Sequence, residues 1–317
     1  MQWGVGVAAV LLAILSVSAR AEPAEVMPDD LRDPANTVEL FVAVPQQQLK
    51  AQYVPEQTFQ VARTPGILAF LIERELEKGG RRAALRRGER LDEALNGFDI
   101  DALAVAATRE AFEERSSFRL ASDEVLENPA ILQAAPSGTR QAVLTYEYAM
   151  HASYTGVFVG CTLRLPGDQA DPTVRWTTEN LRYKGFSYAM VELAALPKDK
   201  AARQDVYAEN NAARLKDSLT RAFSTCAGMA ARQAALTSAD LEAIRSGPKV
   251  TLTTLTNQQE QGWLIEGRDN LMAGTFGPLG IGKTFVREGT PGALMLSAAG
   301  HLYHLRRIDL EGARQAP

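Results

Sequence analysis

The chain has 317 residues, 46% of them hydrophobic and 23% charged, and a formal charge of -4. That length supports one large domain or two smaller ones, with a core that needs no metal or disulfide staple. The mild acidity argues against nucleic acid as a partner.

The amino end reads as a targeting segment. Val5 to Val17 is a continuous apolar run, followed by the small-residue cleavage pattern Ala19-Arg20-Ala21. The run is shorter than the roughly 20 residues that a spanning helix needs. Residues 1–21 are therefore expected to be a signal peptide cut between Ala21 and Glu22, although Met1 to Gly6 holds no Lys or Arg. No Cys follows the apolar run directly, which argues against a lipid-anchored amino end. Residues 22–36, with three prolines and several acids, are expected to be a disordered leader.

An α/β domain is expected over 37–246. Val38, Leu40, Val42 and Val44 alternate along a first strand that Pro45 stops. Gly66 to Ile72 opens a helix that Gly79-Gly80 weakens. Lys78, Arg81, Arg82, Arg86, Arg87 and Arg90 form the most basic patch, with Arg82, Arg86 and Arg90 on one helical face. Such a stripe suits anionic lipid, or simply a solvated helix face beside Glu89, Asp92 and Glu93. Asp99 caps a helix carrying Ile100, Leu103, Ala107 and Ala111. Ser116 to Leu120 is a short strand, and Ser122 is placed to start a short helix ended by Pro129.

The centre of the chain is the stretch from Arg140 to Arg232. Leu144, Tyr146, Tyr148 and Met150 alternate along one strand, and Val157, Val159, Cys161, Leu163 and Leu165 along the next. A third strand runs from Leu181 to Leu193. Between Asn211 and Gln233, Leu215, Leu219, Ala222, Cys226 and Met229 recur at helical spacing. The expected class is α+β: an antiparallel or mixed sheet covered by this long amphipathic helix. Cys161 and Cys226 are the chain's two cysteines, one on each facing apolar surface. In an oxidising compartment they would pair as a strand-to-helix disulfide; otherwise they are two buried, inert thiols.

Thr237 and Asp240 have capping-box spacing for a last short helix, ending at Gly247-Pro248. From 249 to 310 short strand-like runs alternate with turn signals, which predicts a small appended β-meander domain; 311–317 is a tail.

Residues that could carry chemistry are few. Gly277, Gly282, Lys283 and Thr284 satisfy a phosphate-loop pattern, which would bind nucleotide phosphates at a helix start. Here Phe285 to Gly292 reads as a hairpin with Pro291 inside it, so a glycine-rich β-turn explains the match better. His301 and His304 are three apart on a strand and should point to opposite faces, which suits no shared metal. His151 falls in the hairpin turn. Gly185-Phe-Ser187-Tyr-Ala189 lacks the geometry of a nucleophile elbow. Arg182, Tyr183, Lys184, Phe186 and Tyr188 interleave basic and aromatic residues as single-strand binders do, but also as an ordinary two-faced strand does. Trp176 and Trp263 read as core or interface residues. No residue is nominated as catalytic or metal-binding, and no cofactor is expected.

Gly66-Ile-Leu-Ala-Phe-Leu-Ile72, Leu91 to Asp101, and Leu181-Arg-Tyr-Lys-Gly-Phe-Ser-Tyr188 occur in one order, with a helix near 211–233 behind them. This order, covering about 60–235, resembles a loose group of exported bacterial envelope proteins. The resemblance implies an α/β module and periplasmic or secreted location, and transfers no activity.

The leading expectation is a non-catalytic binding or assembly module with an envelope protein or small ligand as partner. A periplasmic hydrolase with a site in the cleft between the two domains is the alternative. Nucleotide binding at 277–284 is a distant third.

Overall fold

In a computed structural model, the described residues are 26–33, 37–46, 49–51, 89, 91, 93–113, 117–126, 140–150, 154, 156–166, 181–193, 196–253, 259–266, 293–298 and 300–308. They form an α+β fold on a single ten-stranded mixed sheet. In chain order the elements are α1 (Asp29–Arg32), β1 (Val38–Ala43), β2 (Lys50–Ala51), α2 (Ile100–Phe112) and β3 (Phe118–Leu120). Then come β4 (Arg140–Met150), β5 (Gly156–Pro166), β6 (Leu181–Leu193), α3 (Lys200–Ala235) and α4 (Ser238–Arg245). The last four strands are β7 (Lys249–Thr253), β8 (Gln259–Glu266), β9 (Ala293–Ser297) and β10 (Leu302–Ile308).

The strands lie in the order β3-β1-β4-β5-β6-β10-β9-β8-β7, with β2 beside β4. The centre is the antiparallel ribbon β4-β5-β6, in which Tyr146 faces Cys161 and Cys161 faces Ser187. The carboxy-terminal strands do form a meander, but not a separate sheet. β10 pairs in parallel with β6, Leu302 opposite Ser187 and Tyr303 opposite Tyr188, and carries the meander onto the edge of the central ribbon. A parallel neighbour needs a long crossover rather than a local turn, so nothing near Leu302 announces it.

Alternation sets which side of the ribbon is covered. Val157, Val159, Cys161, Leu163 and Leu165 of β5 are all nearly or fully buried under α3. From α3 they meet Leu215, Leu219, Ala222, Phe223, Cys226 and Ala227, also fully buried. Burying side chains of this size contributes about 1.5–3 kcal/mol each, which is why the helix sits here. Phe223 stands against Tyr146 (ring centroids 5.1 Å apart) and Tyr148 (5.9 Å). α2 adds to the same layer: the Tyr146 hydroxyl donates to Thr108 Oγ1 at 2.8 Å, which in turn donates to the Ala104 carbonyl.

Helix ends follow the sequence. Asp99 accepts from the amide of Ala102 at 2.8 Å, and Thr237 and Asp240 complete a reciprocal capping box. α3 is longer than the apolar stripe predicts and is not one rod. Glu209 is extended, and Asn210, Asn211 and Ala212 all take positive φ of 52–55°. Asn tolerates this left-handed region; Ala does so at a cost of about 1–2 kcal/mol. Two other expectations change. Ser122 accepts from the Glu124 amide in a turn, with no helix over 121–126. The segment expected as a disordered leader holds α1, with Met27 and Leu31 buried, and Asp30 ion-paired to both Arg140 and Arg182. Its prolines and acids hid two well-placed apolar residues.

Candidate functional site

Every second residue of β4, β5 and β6 points away from the helices, and there the chemistry differs. We call this the open face. Its rows follow from the register. Glu147, Gly160, Tyr188 and Tyr303 lie side by side on β4, β5, β6 and β10. Thr145, Thr162 and Phe186 form the next row, and His301, one residue before Leu302, stands beside Phe186. Arg164 and Lys184 face each other in the third.

The aromatic side chains form one group. The rings of Phe186 and Tyr188 are 6.4 Å apart and within 4° of parallel; Tyr188 and Tyr303 are 5.2 Å apart and within 16°. His301 meets Phe186 edge-on at 4.7 Å, and its Nδ1 lies 3.4 Å from the Tyr303 hydroxyl. Gly160 makes room for this group: a Cβ there would sit 3.0 Å from the Tyr188 ring. A side-chain-free position in the middle strand therefore lets Tyr188 lie across it.

Two cations border the rings. Lys184 Nζ lies 4.4 Å from the Phe186 ring centroid, and an Arg164 terminal nitrogen donates to Thr145 Oγ1 at 3.3 Å. Neither cation forms an ion pair with a described carboxylate, whereas Arg182, further along β6, is held by Asp30 at 2.6 Å. Partial burial, and then the Arg164 charge, lower the Lys184 pKa. Burial lowers that of Arg164, with Glu147 acting the other way. Burial and the Lys184 charge likewise push His301 below its ordinary value. Burial, and then Glu147, push Tyr188 up to about 12, so it is a neutral phenol at physiological pH. Phe186, Tyr188, Thr162, Arg164, Lys184 and His301 are all partly exposed.

The helix side of the same strands is closed. Cys161 and Cys226 do come together across the core, as their positions predict, but as free thiols and not at bonding distance. Each is directed at backbone: Cys161 Sγ donates to the Cys226 carbonyl at 3.0 Å, and Cys226 Sγ donates to the Ser187 carbonyl at 3.3 Å. Burial raises the Cys161 thiol well above its usual range, as does the neighbouring Cys226 thiol. Ser187 Oγ donates to the Gln233 carboxamide at 3.2 Å, and Gln233 donates to the Gly300 carbonyl at 2.7 Å. Tyr183, which the sequence groups with Lys184 and Phe186, is on this covered side, fully buried.

His301 and His304 fall on opposite faces by strand parity: His301 beside Phe186, His304 opposite Ala189. Trp263 packs at the edge of the core, with Arg245 5.7 Å from its ring. Among the described residues, no group of three or more His, Cys, Asp and Glu could hold a metal ion. Ala21 and Glu22 of the cleavage site lie outside the described residues, as do most of the basic stripe 78–90, His151, Trp176, and Gly277, Gly282, Lys283 and Thr284. Among the described residues no helix is long and apolar enough to cross a membrane.

Sequence reasoning missed most of this site. The interleaved Lys184, Phe186 and Tyr188 were its one visible signal. Arg164 and Thr162 come from the neighbouring strand, and His301 and Tyr303 arrive only through the parallel pairing of β10. No family model, curated protein or solved structure matches this chain.

Proposed function

We propose that this is an exported, non-catalytic binding module of the cell envelope, and that it binds through the open face of the sheet. The observation that carries the reading is the exposure of a connected group of aromatic and cationic side chains on the face opposite the helices. A sheet face in contact with solvent ordinarily alternates to polar or charged residues. Here it displays Phe186, Tyr188 and Arg164, residue types that are enriched at interfaces. Export rests on the apolar run and cleavage pattern of residues 1–21. In an oxidising compartment Cys161 and Cys226, free and not at bonding distance here, would then have to bring their sulfurs together to close the expected disulfide. The hydrolase alternative needed a cleft between two separate units. The described strands instead run as one sheet across that boundary, which favours the binding reading.

A photo-reactive amino acid placed at Thr162, on the open face, and separately at Ser224, on the outer side of α3, tests this in living cells. Adducts to another molecule at Thr162 and not at Ser224 are expected. Equal adducts at both positions, none at Thr162, or only a cross-link within the chain would overturn it. The intact mass of the purified protein checks the rest: a chain beginning at Glu22 and lacking two hydrogens is expected, and an unprocessed, reduced chain would sink export.

A further inference from the structure

Accepting the open face as the binding surface, its charges specify the ligand further. Arg164 and Lys184 are direct partners in the β5–β6 register, so two positive charges stand side by side on one face. Like charges in that position are unfavourable in an antiparallel pair, and an acid between them would remove the cost. No described carboxylate does so. Glu147 acts on Arg164 but stands beyond the Thr145–Thr162 row and forms no ion pair with either cation, and Asp30 is taken up by Arg140 and Arg182. The hydroxyls of Thr145 and Thr162 occupy the row between this pair and Glu147, giving neutral polar partners beside the cations. Phe186 adjoins Lys184 directly and continues into Tyr188 and Tyr303.

A pair of cations bordering a short aromatic row fits a ligand with one negative group per ring or two. It does not fit a nucleic acid strand, whose phosphates call for a groove of cations along the whole path. Such a groove is absent from the described face, and the chain carries a net charge of -4. Sugar rings present C–H faces that lie on aromatic side chains and hydroxyls that threonines can meet. We propose that the open face binds an acidic oligosaccharide, its carboxylate between Lys184 and Arg164 and its sugar ring against Phe186 and Tyr188.

The test is calorimetric titration of the full mature chain with a tetrasaccharide of galacturonic acid. Its methyl-esterified, neutral counterpart and a four-nucleotide single-stranded DNA serve as comparisons. The acid form should bind, and the ester should bind about ten-fold more weakly or worse, a difference of about 1.4 kcal/mol. Lys184→Met and Arg164→Gln should each lower affinity by a similar factor, and raising salt from about 0.05 to about 0.5 M should weaken the wild type. Lys184→Gln provides a second variant if Lys184→Met does not fold, with the thermal midpoint read for both. Equal binding of acid and ester, indifference to Lys184, or DNA binding tightest would each overturn the proposal. So would absence of heat with any of the three. If that happens while Thr162 still yields adducts in cells, the ligand class is wrong and the open face remains the binding surface; if both fail, the surface itself was wrongly chosen.

Discussion

The two faces of β5 and β6 are built from the same alternating strands, yet they hold different kinds of residue. Towards α3 stand Val159, Cys161, Leu163, Tyr183, Ala189 and Val191, all closed to solvent. One residue along in each case, Phe158, Gly160, Thr162, Arg164, Lys184, Phe186 and Tyr188 are partly exposed. On the covered face Ser187, Gln233 and the two thiols are taken up internally, whereas the buried hydroxyls of Tyr183, Tyr207 and Ser218 make no hydrogen bond among the described residues. On the open face Arg164 and Lys184 form no ion pair with a described carboxylate, although Glu147 acts on Arg164. The covered face is closed by packing against the helices, and the open face leaves cations and rings in partial contact with solvent.

The sharpest way to break this comparison is to truncate one ring on each face. Phe223→Ala removes a fully buried ring between Tyr146 and Tyr148 and should cost about 3–5 kcal/mol in urea unfolding. Phe186→Ala should cost less than about 1 kcal/mol, since its site is partly open to water. Comparable losses would mean that Phe186 is core and that the faces are not distinct.

Gly185→Ala comes next. On the covered face a Cβ at this position would lie 2.6 Å from the Tyr183 hydroxyl and 2.9 Å from the Gln233 carboxamide oxygen. Gln233 is anchored to Gly300 and cannot simply swing away, so a loss of about 1–3 kcal/mol is expected. A neutral result would show that the space around Tyr183 is looser than the covered face requires.

Ala212→Gly tests the bend that shapes the covering helix. Ala212 has φ of 55° and is fully buried, so glycine should stabilise the protein by about 1 kcal/mol. Were α3 a straight helix here, the same change would destabilise by about 0.5–1 kcal/mol. The sign of the shift in urea midpoint decides between them.

The smallest expected effect belongs to the open face. His301 has its pKa lowered from 6.5 by burial and by Lys184, so the folded state takes up a proton less readily than the unfolded chain. Its contribution is complete above the unfolded value and is lost as pH falls through and below 6.5. Wild-type protein should therefore lose more stability between neutral and mildly acidic pH than His301→Gln. Identical pH profiles would place His301 in water, away from Phe186 and Lys184.

Local pattern carried much of the fold. Alternation located β4, β5 and β6 within a few residues, because period-two patterning must match a strand with one covered side. The Asp99 cap and the Thr237–Asp240 box were readable because capping joins residues three apart. The meeting of Cys161 and Cys226 followed from two facing apolar stripes, while the direction of each sulfur depended on which backbone carbonyl lay nearest. The bend at Asn210–Ala212 escaped notice, since the apolar stripe that located the helix begins only at Leu215, beyond it.

What the sequence by itself determined was the strands β1, β4, β5 and β6, the helices α2 and α4, and the side of the central strands that turns inward, for these depend on neighbours only a few residues away. Tertiary structure alone decided that β10 lies against β6, and with it that His301 and Tyr303 join Phe186 and Tyr188. More than a hundred residues separate those strands (302 against 187 in the register), and a parallel pairing is set by the whole sheet rather than by any turn beside it.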